Sequence, residues 1–401
     1  MTSENPDLHF LAQPRDGLPD ITHENIAEAI DALRHGTGPF AVDTERAMGI
    51  RYSNRAYLVQ VKRAGAGIFL IDPVGIEDQL SDLASVMDDE WILHAADQDL
   101  PSLRELGLEP ERVFDTELAG LILGFDRVSL QAMIADELGF GLAKEHSDAD
   151  WSQRPLGPEL RAYAALDVDL LLELRQSLIE KLHEAHRWEW FVQECNEVQY
   201  RLPNPPHPQP WRKAVKYAKL PDQRALGMLR ELWITRDELA KHRDLAPGKV
   251  LPNKLLANLA ARKPRSLADV KNSSLFRSRS RRRDVEIWWD AINRAWSLPQ
   301  AQLPERRFQY ARDPFPPVQR WEKLDPQAAQ RWSKLRQAVL DHAEMLGIRQ
   351  EVVLKPRIQK QLAWEGWNSA DQLRERLTQF GARPWQIEQV SLALSSKRAT
   401  R

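Results

Sequence analysis

Four acidic side chains and one tyrosine carry the chemistry that this sequence could perform. Asp43 and Glu45 stand at i and i+2, directly behind the apolar run Phe40-Ala41-Val42. Side chains alternate along a strand, so both carboxylates share one face of a sheet. Taken alone, the pair also fits a solvated strand end, where acids are common. The stretch Leu93-His94-Ala95-Ala96-Asp97-Gln98-Asp99-Leu100 closes a short apolar strand and opens a helix. One of Asp97 and Asp99 is placed to cap that helix, and the other lies in its first turn, where the dipole favours an anion. The spacing does not separate the two, and it also allows both simply to cap and solvate. Tyr163 and Asp167 are four residues apart, which on a helix sets phenol and carboxylate on one face. Ala164 and Ala165 between them would let such a helix approach a sheet closely. An ordinary amphipathic helix with a surface tyrosine has the same pattern.

Convergence of the three motifs would be far more specific than any one. Two unit charges about 4 Å apart repel by about 4 kcal/mol at an effective dielectric near 20. Four carboxylates in one site would therefore protonate in part, or spread, unless cations were present. Two divalent metal ions resolve the conflict, and ligands that are all oxygen favour Mg²⁺ or Mn²⁺ over Zn²⁺. Paired ions about 3.5–4 Å apart suit phosphodiester hydrolysis, because they stabilise both the attacking and the leaving oxygen. Tyr163 could then orient the attacking water.

The elements that must position these groups are legible in outline. Pro39–Glu45, Ala56–Arg63 and Ile68–Asp72 have strand composition, with Asn54, Gly65 and Gly67 at the turns. Short apolar runs at 91–95 and 112–114 add two more strands. Helical spacing covers 76–89, 98–107, 115–124, 129–138 and 158–186. Three hairpin-linked strands followed by alternating helix and strand predict an α/β domain with a mixed five-stranded sheet over residues 1–200.

The remainder is all-helical in pattern. Residues 201–210 contain five prolines and predict a stiff extended connector. A second connector falls at 301–318, with Pro304, Pro314, Pro316 and Pro317. Between and beyond them lie helical segments at 211–300 and 319–401. Leu226, Leu229, Leu232, Trp233 and Leu239 recur at helical spacing over 222–243, and Ser266-Leu-Ala-Asp269 has the form of a cap. Helices over 327–346, 354–363, 369–379 and 384–395 repeat the order loosely, which suggests two copies of one module.

The net charge of −2 hides an asymmetry. Residues 1–200 hold 38 Asp+Glu against 16 Lys+Arg, or −22, and residues 201–401 hold 20 against 40, or +20. A basic half could attract a polyanion by counterion release. Its densest cluster is Arg277, Arg279, Arg281, Arg282 and Arg283, which suits phosphate contacts without base readout. Arg262-Lys-Pro-Arg265 is a weaker patch, and of the adjacent Trp288 and Trp289 at least one is expected in a core. No apolar run approaches the roughly 20 residues of a spanning helix. The N-terminus lacks a secretory pattern, and the single Cys195 excludes an internal disulfide and a Cys-based zinc site. A cytoplasmic protein without membrane contact is expected.

Asp43-Thr-Glu45, His94-x-x-x-x-Asp99-Leu and Tyr163-x-x-x-Asp167, in that order, resemble the three exonuclease motifs of the DEDD superfamily, in its tyrosine subclass. Asp150-Trp-Ser-Gln-Arg-Pro-Leu and Phe114-Asp-Thr-Glu-Leu-Ala are similar to further signatures of the ribonuclease D family. The helical segments look like helicase-and-ribonuclease-D C-terminal (HRDC) domains. The resemblance covers about residues 20 to 395. It implies a ribonuclease H-like fold and 3′→5′ exonuclease activity on RNA, in trimming tRNA precursors or other structured RNA with a 3′ tail. It also selects Asp99 over Asp97 as the second-motif acid and leaves Asp97 as the helix cap or a supporting group. It implies one metal held by Asp43, Glu45 and Asp167, and another by Asp43 and Asp99. Ala96 stands where a glycine is frequent. A chain with one catalytic unit and two modules is expected to act as a monomer. A DNA exonuclease shares the same acids, and a silent nucleic-acid scaffold shares the same architecture; the presence of all four acids and Tyr163 disfavours the scaffold.

Overall fold

The computed structural model describes residues 8–143, 149–203, 205–276, 282–307 and 313–396. The N-terminal part carries strands β1 (His9–Leu11), β2 (Ile21–Thr22), β3 (Thr37–Arg46), β4 (Ala56–Ala64), β5 (Gly67–Ile71), β6 (Glu90–Leu93), β7 (Arg112–Asp115) and β8 (Phe140–Leu142). Between and after them run α1 (Ile26–His35), α2 (Leu80–Val86), α3 (Leu100–Glu105), α4 (Thr116–Leu123), α5 (Leu130–Leu138), α6 (Pro158–Asp169), α7 (Leu171–Glu184) and α8 (Trp188–Tyr200). The main sheet has the order β2-β5-β4-β3-β6-β7, antiparallel at β3–β4 and β4–β5 and parallel elsewhere. It is the expected mixed sheet with six strands rather than five. The extra strand β2 is two residues long, too short to show alternation, and it forms only because β5 offers it a partner. A separate parallel pair, β1 with β8, was equally invisible as pattern.

Alternation along β3 divides the interior. Phe40 and Val42 enter the core beneath α1, α2 and α3, while Ala41 faces the core built on α4, α7 and α8. Asp43 and Glu45 continue the Ala41 face, and α6 packs against that side of the sheet through Ala164 and Ala165, both fully buried. The helix expected over 158–186 is broken at Leu170, and α8, absent from the pattern, follows.

The two helical segments share an order. In the first, α9 (Gln223–Arg243), α10 (Pro247–Val250), α11 (Asn253–Arg262) and α12 (Leu267–Lys271) precede the helix Val285–Ser297. In the second, helices span Pro326–Leu346, Gln350–Val353, Pro356–Glu365, Ala370–Gln379 and Pro384–Ser396. The start signals coincide. Asp222 and Asp325 each cap the long helix by accepting an amide three residues on, and Ser266 and Ser369 do the same before the fourth helix. Asp325 follows Asp222 by 103 residues, and Ser369 follows Ser266 by 103.

Their packing differs. The first segment closes its own core around Leu229, Leu256 and Trp288. The second shares a core with the nuclease helices, where Leu335, Leu362 and Trp385 join Leu174, Leu178 and Phe191. Trp385 stacks on Trp190 at 4.7 Å, and its indole N–H and the Arg383 guanidinium both donate to Glu194 Oε1, at 2.8 and 2.6 Å. Gly124, ending α4 at φ 85°, lies so near Gly347 that a Cβ there would fall 2.0 Å from the Gly347 carbonyl oxygen.

Candidate active site

β3 and α6 bring the first and third motifs together. One oxygen from each of Asp43, Glu45 and Asp167 lies within 4.8 Å of the others, a grouping that could hold a metal ion. Pro158 at the first position of α6 is preset for a helix start, and the helix then runs over β3 to β5. Its buried alanines replace bulk with close approach, so the carboxylate of Asp167 reaches β3.

Asp99 arrives from the other side of β3. Its Oδ1 accepts from the Thr44 hydroxyl at 3.0 Å and lies 3.2 Å from Arg46 Nη2, and the residue is 4% exposed. Thr44 alternates with Asp43 and Glu45, so it faces α3 while they face α6. Asp99 therefore stands beside the three-carboxylate group rather than within it. Asp99, not Asp97, occupies the residue before α3, and its side chain caps nothing. Asp97 does not cap either; it is exposed, with Arg201 at 3.8 Å.

A residue that spacing did not single out shapes this turn. Asp115, 2% exposed, accepts the amides of Ala95 and Ala96 at 3.1 and 2.8 Å, and those of Glu117 and Leu118 at 2.9 and 3.2 Å. It caps α4 and pins the 93–99 turn together. Ala95 takes the left-handed conformation at φ 59°, which costs a residue with a Cβ about 1–2 kcal/mol. Ala96, at the position where a glycine is frequent, is fully buried and does not take the left-handed conformation. His94 is half-buried, bonds the Thr116 hydroxyl at 2.9 Å through Nδ1, and has its pKa pushed down by desolvation to about 4.

Tyr163 donates its hydroxyl to the carboxylate of Asp167, and its ring lies 6.1 Å from that of Trp151. Trp151 is fully buried. The segment around it is tied to the sheet by Arg154, which donates to Asp72 Oδ1 and to the Tyr57 carbonyl, each at 2.8–2.9 Å. Beyond the site, α6 ends at Asp169, fully buried, whose carboxylate accepts from Lys62 Nζ at 2.8 Å and from Arg15 Nε at 3.3 Å. Burial alone would raise the pKa of Asp169, but the bonds from Lys62 and Arg15 outweigh it and hold it below the usual range.

The acids of the site behave in the opposite way. Burial, followed by mutual repulsion, pushes Asp43 up to about 8 and Glu45 up to about 10. Asp99 and Asp167 rise for the same first cause, to about 8 and about 7. Arg46 is the cation set against them. Gln60, the register partner of Asp43, keeps both side-chain polar atoms buried without a hydrogen-bond partner. Oxygen-only donors, short of positive charge, fit a hard divalent cation.

The basic cluster is only partly visible. Arg277, Arg279 and Arg281 lie outside the described residues. Arg282 is exposed and donates through Nε to the Phe276 carbonyl at 3.1 Å, and the exposed Arg283 lies 3.6 Å from Asp284. Trp288 is a core residue and Trp289 is half-buried.

Comparison with known proteins gives three matches along the chain. A family described as "3'-5' exonuclease" matches residues 21–183, "HRDC domain" matches 225–292, and "3' to 5' exonuclease C-terminal domain" matches 314–397. The second helical segment thus matches a family other than the HRDC domain, in keeping with its docking on the nuclease helices. A Pseudomonas paraeruginosa protein named Ribonuclease D is 30% identical over 365 residues, spanning 89% of this chain and 92% of its own. A solved Bifidobacterium adolescentis protein superposes with a TM-score of 0.87 at 33% identity, over 97% of this chain and all of that one. Escherichia coli RNase D, described as an exoribonuclease involved in structured RNA processing, superposes with a TM-score of 0.63 at 25% identity, over 91% of this chain and all of that one.

Proposed function

The chain belongs to the ribonuclease D family, and on that footing we propose that it is a metal-dependent 3′→5′ exoribonuclease. It releases nucleoside 5′-monophosphates from RNA 3′ ends. The observation that carries this reading is the convergence of Asp43, Glu45 and Asp167 to within 4.8 Å, with Asp99 alongside and Tyr163 bonded to Asp167. Asp43, Glu45 and Asp167 would hold one Mg²⁺ or Mn²⁺, and Asp43 with Asp99 a second. Such ions, when bound, supply Lewis-acid stabilisation of the charge that builds on the phosphoryl oxygens.

The protein's own groups do the positioning. Thr44 and Arg46 fix the Asp99 carboxylate, and Asp115 fixes the turn that delivers it. The Tyr163 hydroxyl holds Asp167 in the resting site and orients the attacking water during hydrolysis. Residues 1–200 form the catalytic unit, with helical modules at 211–300 and 319–401 joined by 201–210 and 301–318. Precursor tRNAs, or other structured RNAs with a single-stranded 3′ tail, are the substrates, and Arg277, Arg279, Arg281, Arg282 and Arg283 contact phosphates of the RNA body. The protein acts as a cytoplasmic monomer. Product analysis tests the activity directly: nucleoside 5′-monophosphates appearing from the 3′ end support it, and internal fragments or 3′-monophosphates contradict it.

A further inference from the structure

The first helical module contains a cavity of about 660 Å³, within the ~300–1,000 Å³ range of ligand sites. Lys213, Arg236 and Lys254 line it, with Tyr217 and Trp233. Asp237 is the one acid in its wall, and it already accepts the hydroxyl of Tyr52 at 2.9 Å. Arg236, 2% exposed, forms the base of the cavity. Its guanidinium stacks 4.1 Å from the Trp233 ring and donates to the Leu251 carbonyl and Asn253 Oδ1, while its Nε is buried without a partner. Lys213 and Lys254 are exposed and neither forms an ion pair among the described residues, and Lys213 Nζ lies 5.2 Å over the Trp233 ring. Tyr217 is 42% exposed. Lys216 Nζ lies 5.2 Å over the Tyr217 ring. Exposed ammonium groups beside aromatic rings, above a buried cation, match a nucleotide unit. Cations take phosphates, and the ring takes a base of any identity.

The cavity also lies on a path from the carboxylates. The loop between β3 and β4 leaves Glu45 and is bonded to this module: Ile50 accepts the amide of Ala246 at 2.9 Å, Arg51 and the Tyr52 amide donate to Asp244 at 3.4 and 3.3 Å, and the Tyr52 hydroxyl reaches Asp237. Tyr52 is seven positions after Glu45, so the chain keeps the two within about 25 Å.

We propose that this cavity is an RNA subsite separate from the arginine cluster. It holds one nucleotide of the single strand upstream of the end being cut, with the base on Tyr217 and the flanking phosphates on Lys213 and Lys254. The assignment rests on the exoribonuclease reading for its direction, though not for its ligand.

The test uses the full chain carrying Lys213→Glu with Lys254→Glu, and separately Tyr217→Ala, with Lys334→Glu on the other module as a charge control. Affinity for a 5′-labelled 12-nucleotide single strand is measured in chelator by fluorescence anisotropy. kcat and KM are then measured with metal on the 12-mer and on a dinucleotide. The only phosphodiester of the dinucleotide must sit at the carboxylates to be cut, which leaves no phosphate for the cavity. The double variant should weaken 12-mer binding about tenfold and lower the salt slope by about 1.4, or about 0.7 per phosphate contact. It should raise KM on the 12-mer at unchanged kcat and leave the dinucleotide unaffected. Tyr217→Ala should weaken binding without changing the slope. Unchanged 12-mer affinity in the double variant, or an equal loss in Lys334→Glu, overturns the proposal. Failure of the exoribonuclease reading would show separately, as no shortening by the wild type, while the affinity comparison still decides the cavity.

Discussion

The carboxylate of Asp115 accepts the amides of Ala95 and Ala96 at 3.1 and 2.8 Å, and this contact between neighbouring parallel strands sets where Asp99 stands. Replacement by alanine would leave buried amides unpaired, at about 1–3 kcal/mol. We expect Asp115→Ala to lower the melting temperature and to reduce turnover more than a remote change of equal stability cost. Thermal denaturation with steady-state rates checks both. A loss of stability with turnover intact would remove Asp115 from the positioning of Asp99.

The raised carboxyl pKa values fix the sign of a pH effect. A group whose folded pKa lies above its unfolded value favours folding at low pH, and that contribution fades as pH rises through the folded pKa. Asp167, Asp43 and Asp99 are raised to about 7, about 8 and about 8, from the ordinary aspartate value of 3.8. In chelator, stability should fall between pH 5 and 8, and Mn²⁺ should flatten the fall by binding the native state. Melting curves across that range, with and without metal, decide it. A chelated protein that gains stability as pH rises would contradict the repelling cluster.

Charge removal at the same place should uncouple stability from activity. Asp43→Asn is expected to abolish hydrolysis, to retain RNA affinity, and to melt higher than the wild type in chelator. A lower melting point there would mean that Asp43 is held by attraction rather than repulsion.

Tyr163→Phe removes the hydroxyl and keeps the ring beside Trp151. The rate should drop by up to about 100-fold, the scale of a misoriented reactant, while the metal-induced rise in melting temperature stays. An unchanged rate would take Tyr163 out of the mechanism.

Four of the five proposed site residues were legible because their geometry is local. Asp43 and Glu45 share a face by strand alternation, and Tyr163 and Asp167 by helical spacing. Asp99 was not separable from Asp97 by spacing, since both sit where a strand hands over to a helix; only the family pattern distinguished them. Thr44 and Lys62 act through partners 55 and 107 residues away, and nothing in their own neighbourhood announces such contacts. Asp115 lies in a stretch that resembles a family signature, but its bonds to the Ala95 and Ala96 amides, 20 and 19 residues back, are not local. The docking of the second helical segment was hidden for a related reason. An apolar stripe has the same period whether it faces its own bundle or the nuclease helices.

That docking makes its own prediction. Gly124→Ala would force a left-handed alanine, at about 1–2 kcal/mol, and would drive a Cβ into the Gly347 carbonyl. Hydrogen exchange should rise in the helix Pro384–Ser396 and in α8, and stay unchanged in α9. Uniform exchange across all three would contradict a shared core limited to the second segment.

The most direct measurement uses a 5′-labelled RNA hairpin with a single-stranded 3′ tail, incubated with Mg²⁺ or Mn²⁺. Wild type is compared with Asp99→Asn, and a chelator control is included. A ladder that shortens from the 3′ end, depends on the metal, and vanishes in the variant is expected. Binding without shortening in the wild type, or wild-type shortening in Asp99→Asn, would contradict it.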